Sequence, residues 1–436
     1  MGFDEAQAYL DSLGIDAMKD RGPSLHRIEV LCTALDHPER AAPAIHITGT
    51  NGKTSTARIV TSLLAATGLT VGTYTSPHLQ TIRERIALSG DPITEESFGE
   101  MFDHLRPYLT LVEGRLGETL TYFEVLTALF FLWAAETPVD VMVVEVGLGG
   151  RWDATNVITA PVAVITNIGF DHTQLLGTDK AQIAREKAGI IKPSAVVVTG
   201  ERTPGILEVI REEAEPLEAQ VEVLERDFSV TENVVAVGGR YLSMTTSSRS
   251  YEDVFLPLHG SHQGVNAAIA LEAVTRFLPS QELAQELVAE GFAATYAPGR
   301  LETVVQPSGS GPSVVVDVAH NPDGVSALVR SLVETFAFDR VVFVIGILAD
   351  KDYEGMLAEL ARIPCSLVVT EASSVRSVPP EELLKVAEAL GLQAEIVEGV
   401  PAAVGKAMQG ALPGELVCVT GSHYVVGEAR DFLARV

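Results

Sequence analysis

The sequence predicts an α/β protein with mostly parallel sheets, in two units that meet near residue 298. Short β-branched runs alternate with stretches of helical apolar spacing, the βαβ signature of a parallel sheet with helices on both faces. A Gly-bearing turn between a strand and a helix opens the first series, at Thr48-Gly49-Thr50-Asn51-Gly52-Lys53-Thr54. A second alternating series begins after Pro298-Gly299-Arg300. A length of 436 residues accommodates two domains, or three.

In order, Ala44–Thr48 reads as a short strand and Thr54–Thr67 as a helix closed by Gly68. Val71–Thr75 is a strand, Phe123–Ala135 a helix, and Val141–Glu145 a buried strand. Val162–Thr166 and Ala195–Thr199 repeat the strand pattern. Val234–Val237 and Tyr241–Met244 flank Gly238-Gly239 as a hairpin, and Val265–Phe277 is helical. In the second series, strands fit Val314–Val318, Val341–Gly346, Ser366–Thr370, Glu395–Val397 and Leu416–Thr420. Helices fit Asp323–Thr335, Tyr353–Arg362, Pro380–Leu390 and Pro401–Met408. The Gly-, Ser- and Pro-rich stretch Gln306–Ser313 reads as a hairpin loop inside the second unit, which places the domains at 1–297 and 298–436.

The composition is 47% hydrophobic, enough for large cores, and the formal net charge is −27. So acidic a chain is a poor partner for nucleic acid, whose affinity comes from Lys and Arg on phosphate, and for an anionic membrane surface. Anionic ligands would need local cations working against the global field. Cys32, Cys365 and Cys418 lie far apart in or near apolar runs and read as buried thiols, with neither disulfide framework nor zinc site. The acidic start Met1-Gly2-Phe3-Asp4-Glu5 lacks a signal-type apolar region and no apolar run approaches a membrane span, so a soluble cytoplasmic protein is expected.

A strand, a tight turn, Lys-Thr and a helix make a phosphate-loop plan: Gly lets the backbone approach phosphate, and successive N–H groups hold the anion. Lys53 would contact the β/γ-phosphates, and the Thr54 hydroxyl serves phosphate or Mg²⁺. Walker spacing puts a first Gly at position 47, which is Ile47; the loop starts at Gly49 and is two residues shorter. That spacing argues against Ras-like switches and ordinary ATPases.

Five further segments bear polar groups. Ser76, in Thr75-Ser76-Pro77-His78-Leu79, lies just past a strand end, where α/β active sites collect; taken alone it reads as a turn residue. Glu145 ends an apolar strand, and a buried carboxylate there needs a cation or metal partner, which favours a Mg²⁺ ligand. Asn167–His172 follows the next strand; by chemistry His172 reads as a hydrogen-bonded loop residue, because imidazole is an unusual Mg²⁺ ligand. Lys187 fits a phosphate clamp, a salt-bridge partner or a helix-end charge, and sequence chemistry does not choose. Asp317 and His320, in Asp317-Val318-Ala319-His320-Asn321-Pro322, suit ribose or substrate polar groups, with a structural turn as the alternative.

Together the motifs TGTNGKTS, TSPHL…RERI, FE, EVGLGGRWDATN, NIGFDHTQLLGT…IAREKAGIIK, PGR, DVAHNP and TGSHYVVGEAR resemble the folylpolyglutamate synthase/dihydrofolate synthase family of the Mur ligase superfamily. The likeness runs from about Leu25 to Arg430, and the order and spacing make it specific. It implies an N-terminal P-loop ATPase domain, a C-terminal Rossmann-like domain and a site in the cleft. It implies phosphorylation of a carboxylate by ATP, then attack by the amine of L-glutamate on the acyl phosphate. Carried over by motif, Asn51, Gly52, Lys53, Thr54, Asn266, Arg300 and Asp317 contact ATP. Ser76, Glu145 and His172 match magnesium ligands. Lys187 matches a carbamylated lysine facing a second Mg²⁺. Tyr122, Phe123, Glu124 and Val125, with Trp152, Asp153 and Ala154, match pterin contacts. His320 and Ser422 go to the glutamate side, and Lys53, Lys187 and His320 form the catalytic set. Gly260-Ser261-His262-Gln263 departs from the commoner family wording beside Asn266.

Two rivals are weighed. A cell-wall Mur ligase acting on a UDP-sugar peptide carries its own nucleotide-sugar domain before the loop, and only 48 residues precede Gly49. A non-catalytic nucleotide switch would need a guanine-reading Asn-Lys-x-Asp, and Asn167-Ile168-Gly169 does not supply it. The expected ligands are ATP, two Mg²⁺, L-glutamate and dihydropteroate or a reduced folate, on a monomer.

Overall fold

A computed structural model describes residues 2–14, 24–280, 282–305 and 311–435. Among them, the N-terminal unit holds β1 (Ala44–Thr48), β2 (Val71–Tyr74), β3 (Ile86–Leu88), β4 (Asp91–Pro92), β5 (Val141–Glu145), β6 (Val162–Ile165), β7 (Val196–Thr199) and β8 (Gln220–Val223). They form one sheet in the order β4-β3-β2-β5-β1-β6-β7-β8. Only the β2–β3 and β3–β4 pairings are antiparallel. A small antiparallel sheet follows, of β9 (Ser229–Ala236), β10 (Gly239–Thr245) and β11 (Ser250–Leu256). The last sheet holds β12 (Glu302–Val305), β13 (Ser313–Val316), β14 (Arg340–Ile345), β15 (Cys365–Val369), β16 (Gln393–Ile396) and β17 (Glu415–Thr420) in the order β12-β13-β17-β14-β15-β16. It is parallel except at β12.

β1 is central in the first sheet, between β5 and β6. Its alternation decides which core each side chain enters. Ile45 and Ile47, with Val141 and Val143 of β5, pack toward the helices Lys53–Ala66 and Ser261–Phe277. Ala44, Met142 and Val144 pack on the other face with the helix Tyr122–Glu136. Both faces are covered, so the strands are largely apolar, with His46 and Thr48 of β1 as buried polar exceptions.

The predicted elements are present with shifted ends. The first helix begins at Lys53, one residue earlier, because Gly52 takes φ +83° as its N-cap. The hairpin turn is Val237-Gly238, not Gly238-Gly239: Gly239 already pairs with Ala236. Val314–Val318 shortens to β13, whose successors Asp317 and Val318 turn toward the cleft. Of Gln306–Ser313, positions 306–310 lie outside the described residues; its flanks β12 and β13 are antiparallel neighbours. Cys32 and Cys418 are buried, but Cys365 is only half-buried, at the outer start of β15. The sequence reading passed over the helices Phe3–Ser12, His26–Ala34, Glu95–Leu116, Lys180–Ala188, Pro204–Ala214 and His423–Leu433. No helix among the described residues is long and apolar enough to cross a membrane.

Candidate active site

The parallel strands of both large sheets end at one cavity of about 400 Å³. From the first sheet come the loop after β1, Ser76 after β2, Glu145 at the end of β5, and Asp171 and His172 after β6. From the last sheet come Asp317 to His320 after β13, Asp350 and Lys351 after β14, and Ser422 after β17. Carboxyl ends of parallel strands are where α/β folds leave backbone and side chains free for ligands.

The loop Gly49–Gly52 is held from outside. Thr50 N–H donates to Asn167 O (3.0 Å) and Asn51 N–H to Asn167 Oδ1 (3.0 Å). Thr166 Oγ1 donates to Asn51 O at 2.7 Å. Gly52 has no room for a side chain, since a Cβ would stand 2.5 Å from Asn266 Oδ1. That contact puts Asn266, from the helix Ser261–Phe277, directly against the loop. Lys53 Nζ donates to Gly49 O (3.0 Å) and Thr50 O (3.1 Å). Burial pushes the Lys53 pKa down, while Glu145 and Asp171 oppose the shift.

Glu145 is 1% exposed. It accepts from the Thr54 hydroxyl (2.9 Å) and from Ser76 N–H (3.2 Å). Burial raises its pKa, and Lys53, Ser76 and Thr54 pull it back. Lys187 is buried beside the same loop, its Nζ donating to Gly49 O at 2.9 Å. Burial first, then the charge of Lys53, lowers its pKa to about 7.

The opposite wall mixes cations with carboxylates. Arg300 is half-buried, with Nη1 enclosed and unpaired. Asp317 accepts from Leu301 N–H and Ala319 N–H, both at 2.8 Å, which fixes its carboxylate at the cleft. Asp171 accepts from Lys351 Nζ at 2.6 Å and lies 3.3 Å from His320 Nε2. Burial raises the Asp171 pKa, but the His320 hydrogen bond and the neighbouring cations outweigh it and hold the carboxyl far below its usual range. His172 belongs to this cluster: its ring faces Asp171 (3.7 Å), Asp350 (3.9 Å) and Lys351 (3.3 Å). Burial lowers its pKa to about 4. Ser422 lines the cavity while its hydroxyl accepts from Val425 N–H as a helix cap.

Most sequence-selected residues therefore meet at this cavity, and four pterin candidates do not. Tyr122, Phe123 and Asp153 line it. Glu124 points away, because its carboxylate closes the capping box with Thr121 and pairs with Arg27 Nε at 2.9 Å. Val125 and Ala154 are core residues, and Trp152 is 44% exposed outside the lining. Helical and 3₁₀ geometry explain this: neighbours in sequence point in different directions, so a contiguous motif cannot all face one ligand. The sequence reading missed Asp171, Asp350, Lys351, Arg376 and His423, all in the lining. The signal for two of them, Asp350 and Lys351, was an Ala-Asp-Lys-Asp turn at residues 349–352, just after the second strand of the C-terminal series. Arg85 was also missed; its Nε donates to His78 Nδ1 (2.9 Å) and its guanidinium lies 5.5 Å from the Tyr122 ring centre.

Comparison with known proteins agrees with this layout. The Mur ligase middle domain matches residues 47–274, and the Mur ligase glutamate ligase domain matches residues 299–423. A dihydrofolate synthase/folylpolyglutamate synthase of Mycobacterium tuberculosis is 44% identical over 377 residues, covering 83% of this chain and 77% of that protein. The Bacillus subtilis protein of the same description is 34% identical over 94% of this chain and 95% of its own length. A solved structure of Mycobacterium tuberculosis folylpolyglutamate synthase complexed with ADP superposes with a TM-score of 0.92 at 40% identity, covering 100% of this chain and 98% of that one. Escherichia coli FolC in complex with DHPP and ADP gives 0.88 at 30% identity, over 100% and 98% of the two chains. With fold, site and sequence in agreement, the chain belongs to the folylpolyglutamate synthase/dihydrofolate synthase family of Mur ligases.

Proposed function

We propose that this chain is an ATP-dependent ligase that adds L-glutamate to dihydropteroate, to reduced folates, or to both, through an acyl phosphate. One observation carries the reading. The phosphate loop with Lys53 and the buried Glu145–Thr54 pair share a single cavity with Arg300, Lys351 and His320 from the other sheet. The ADP and DHPP complexes of the solved relatives support the same ligands here.

The chemistry follows from the leaving group. A carboxylate cannot be displaced by an amine until its oxygen becomes part of a phosphate. The loop N–H groups and Lys53 bind and orient the phosphates, and Lys53 stabilises charge on the transferring phosphoryl group. Asn266, against Gly52, and Arg300 and Asp317 are further groups we assign to ATP. Holding both reactants across two sheets supplies a proximity term of up to ~7–11 kcal/mol in ideal cases. Lys351 and Arg376, with His320 and Ser422 nearby, are the groups we assign to glutamate carboxylates.

The residues fit Mg²⁺. Glu145 is a buried oxygen donor whose desolvation calls for a cation; the Thr54 hydroxyl bonds it, Ser76 meets it through its N–H, and both residues line the cavity. Mg²⁺, when bound, neutralises phosphate charge. Glu145 and Ser76 would hold it; among the described residues no three His, Cys, Asp or Glu form a ready-made metal cluster, and His172 joins only through the ring contacts above. Lys187 as a carbamate would supply a further oxygen donor toward a second Mg²⁺. We place the working units at residues 1–297 and 298–436, and read the enzyme as cytoplasmic and monomeric.

The test is glutamate incorporation, comparing dihydropteroate with tetrahydrofolate and following ADP release. Glutamate-dependent ADP release with either acceptor supports the ligase. ATP hydrolysis indifferent to glutamate and to any pteroate overturns it. Lys53→Ala is expected to lower turnover by roughly 10²–10³-fold, the scale of one lost transition-state donor; near-normal turnover would contradict the phosphate-loop assignment.

A further inference from the structure

We infer that His46 is a positioning residue: from the middle of the central strand it holds Thr155 so that the Thr155 hydroxyl is committed to Asp153, the carboxylate at the cavity. The inference rests on the proposed pteroate reading, and it adds a residue that touches no ligand.

His46 is 0% exposed in β1, between Ile45 and Ile47. An apolar residue would suit a core strand better, because a buried polar ring must find partners for both nitrogens. His46 finds one. Nε2 lies 2.9 Å from Thr155 Oγ1, and Nδ1 is enclosed without a partner.

The direction of each bond can be assigned. Asp153 Oδ1 accepts from Thr155 N–H at 3.0 Å, so it is an acceptor. The Thr155 hydroxyl donates its one proton to that same oxygen at 2.5 Å. The hydroxyl oxygen must then accept from His46, which places the ring proton on Nε2 and leaves Nδ1 bare. Burial, with the charge of Lys192 adding to it, keeps the ring neutral by lowering its pKa to about 3. Asp153 Oδ2 accepts from Leu148 N–H at 2.9 Å, so both carboxylate oxygens are tied on the protein side.

The consequence is a carboxylate that cannot rotate. Oδ1 already accepts twice and Oδ2 once, so the lone pair left for a ligand N–H, such as one on the aminopyrimidinone edge of a pterin, is on Oδ2. Two residues along β1, on the same face, Thr48 Oγ1 donates to Gly149 O at 2.7 Å. The central strand therefore tethers the substrate loop at two points on the face away from the helix Lys53–Ala66.

The experiment measures dihydropteroate affinity and the KM for ATP in His46→Leu, His46→Gln, Thr155→Val, Asp153→Asn and the His46→Leu/Thr155→Val double variant. His46→Leu is expected to weaken dihydropteroate roughly tenfold, the scale of one hydrogen bond serving a charged group, with the KM for ATP within about twofold. Thr155→Val should match it, and the double variant should be no weaker than either single, because both remove one chain of bonds. His46→Gln should recover part of the loss through its amide N–H. An unchanged affinity, an equal loss for ATP, or a double variant showing the product of both losses overturns the inference. If the wild type does not bind dihydropteroate, the pteroate reading falls and takes this inference with it. If it binds, and Asp153→Asn weakens it while His46→Leu does not, only the positioning role falls. Should His46→Leu fail to fold, histidine ¹⁵N resonances of the wild-type protein decide, with His46 assigned by its loss in His46→Gln. A neutral Nε2–H ring at pH 6 is expected, and an Nδ1–H tautomer overturns the inference.

Discussion

Lys187 shows how burial can set up chemistry at a single residue. Its amine is 4% exposed and bonded to one loop carbonyl. Desolvation penalises the ammonium, and Lys53 adds repulsion. With its pKa lowered to about 7, half of the amine is neutral at that pH, and the neutral form grows as pH rises. Only the neutral amine reacts with carbon dioxide to give a carbamate and a proton. A carbamate signal from ¹³C-labelled bicarbonate is therefore expected to grow from pH 6 to pH 8 and to vanish in Lys187→Ala. That variant should lose roughly 10²–10³-fold in kcat, and short carboxylic acids should restore part of it. A folded variant without rescue would leave Lys187 a simple cation. Arg300 follows the opposite rule: its guanidinium stays charged although burial lowers its pKa, and its enclosed Nη1 finds no acceptor among the described residues, in keeping with the ATP contact proposed for it.

Elements set their own terms where two of them pack carboxylate against carboxylate. Glu222 on β8 and Glu272 on the helix Ser261–Phe277 are both buried, and both pair with Arg276. Glu272 also accepts from Ser247 Oγ at 2.6 Å. Burial, then the hydrogen bond to Glu272, raises the Glu222 pKa to about 7. A carboxyl whose folded pKa lies above its unfolded value contributes stability below the unfolded pKa and loses it as pH rises through the folded one. The window here runs from about pH 4.5 to pH 7. Glu222→Gln keeps the hydrogen-bonding shape and removes the ionisation. Its Tm relative to the wild type should be more favourable at pH 8 than at pH 5; the reverse order would show that Arg276 fully compensates both charges.

At the scale of the whole molecule, the small β9–β11 sheet links the two large ones. Arg240, 1% exposed on β10, bonds Asn233 and pairs with Glu334 on the helix Pro322–Thr335 at 2.9 Å. Asn233 Nδ2 in turn donates to Ser261 O (2.9 Å), the first residue of the helix that carries Gln263 and Asn266. A second link between the units runs from Arg430 to the Tyr296 hydroxyl (2.8 Å). Arg240→Met is expected to raise the KM for ATP by roughly fivefold, the value of about one hydrogen bond, with the folate KM unchanged. An unchanged KM for ATP would separate this sheet from the nucleotide site. A net charge of −27 makes such placement matter, because anionic ligands meet attraction only where loop N–H groups, lysines and arginines converge.

The sequence by itself determined most of the parallel strands, the Gly-bearing loop after β1 and the family. Strand burial is written in runs such as Val141–Val144, and the loop in Gly49, Gly52, Lys53 and Thr54, because local backbone needs select those residue types. The ordered motifs then named the chemistry. Only the tertiary structure decided which side chains face the cavity. Glu124 looked like a ligand contact until Arg27, 97 positions away, claimed it. Lys351 went unselected until Asp171, from the other sheet, stood 2.6 Å from it. His46 looked like one residue of a core strand until Thr155 and Asp153 lined up behind it. These assignments depend on pairings between segments more than 90 residues apart, and on desolvation that exists only once both sheets are packed.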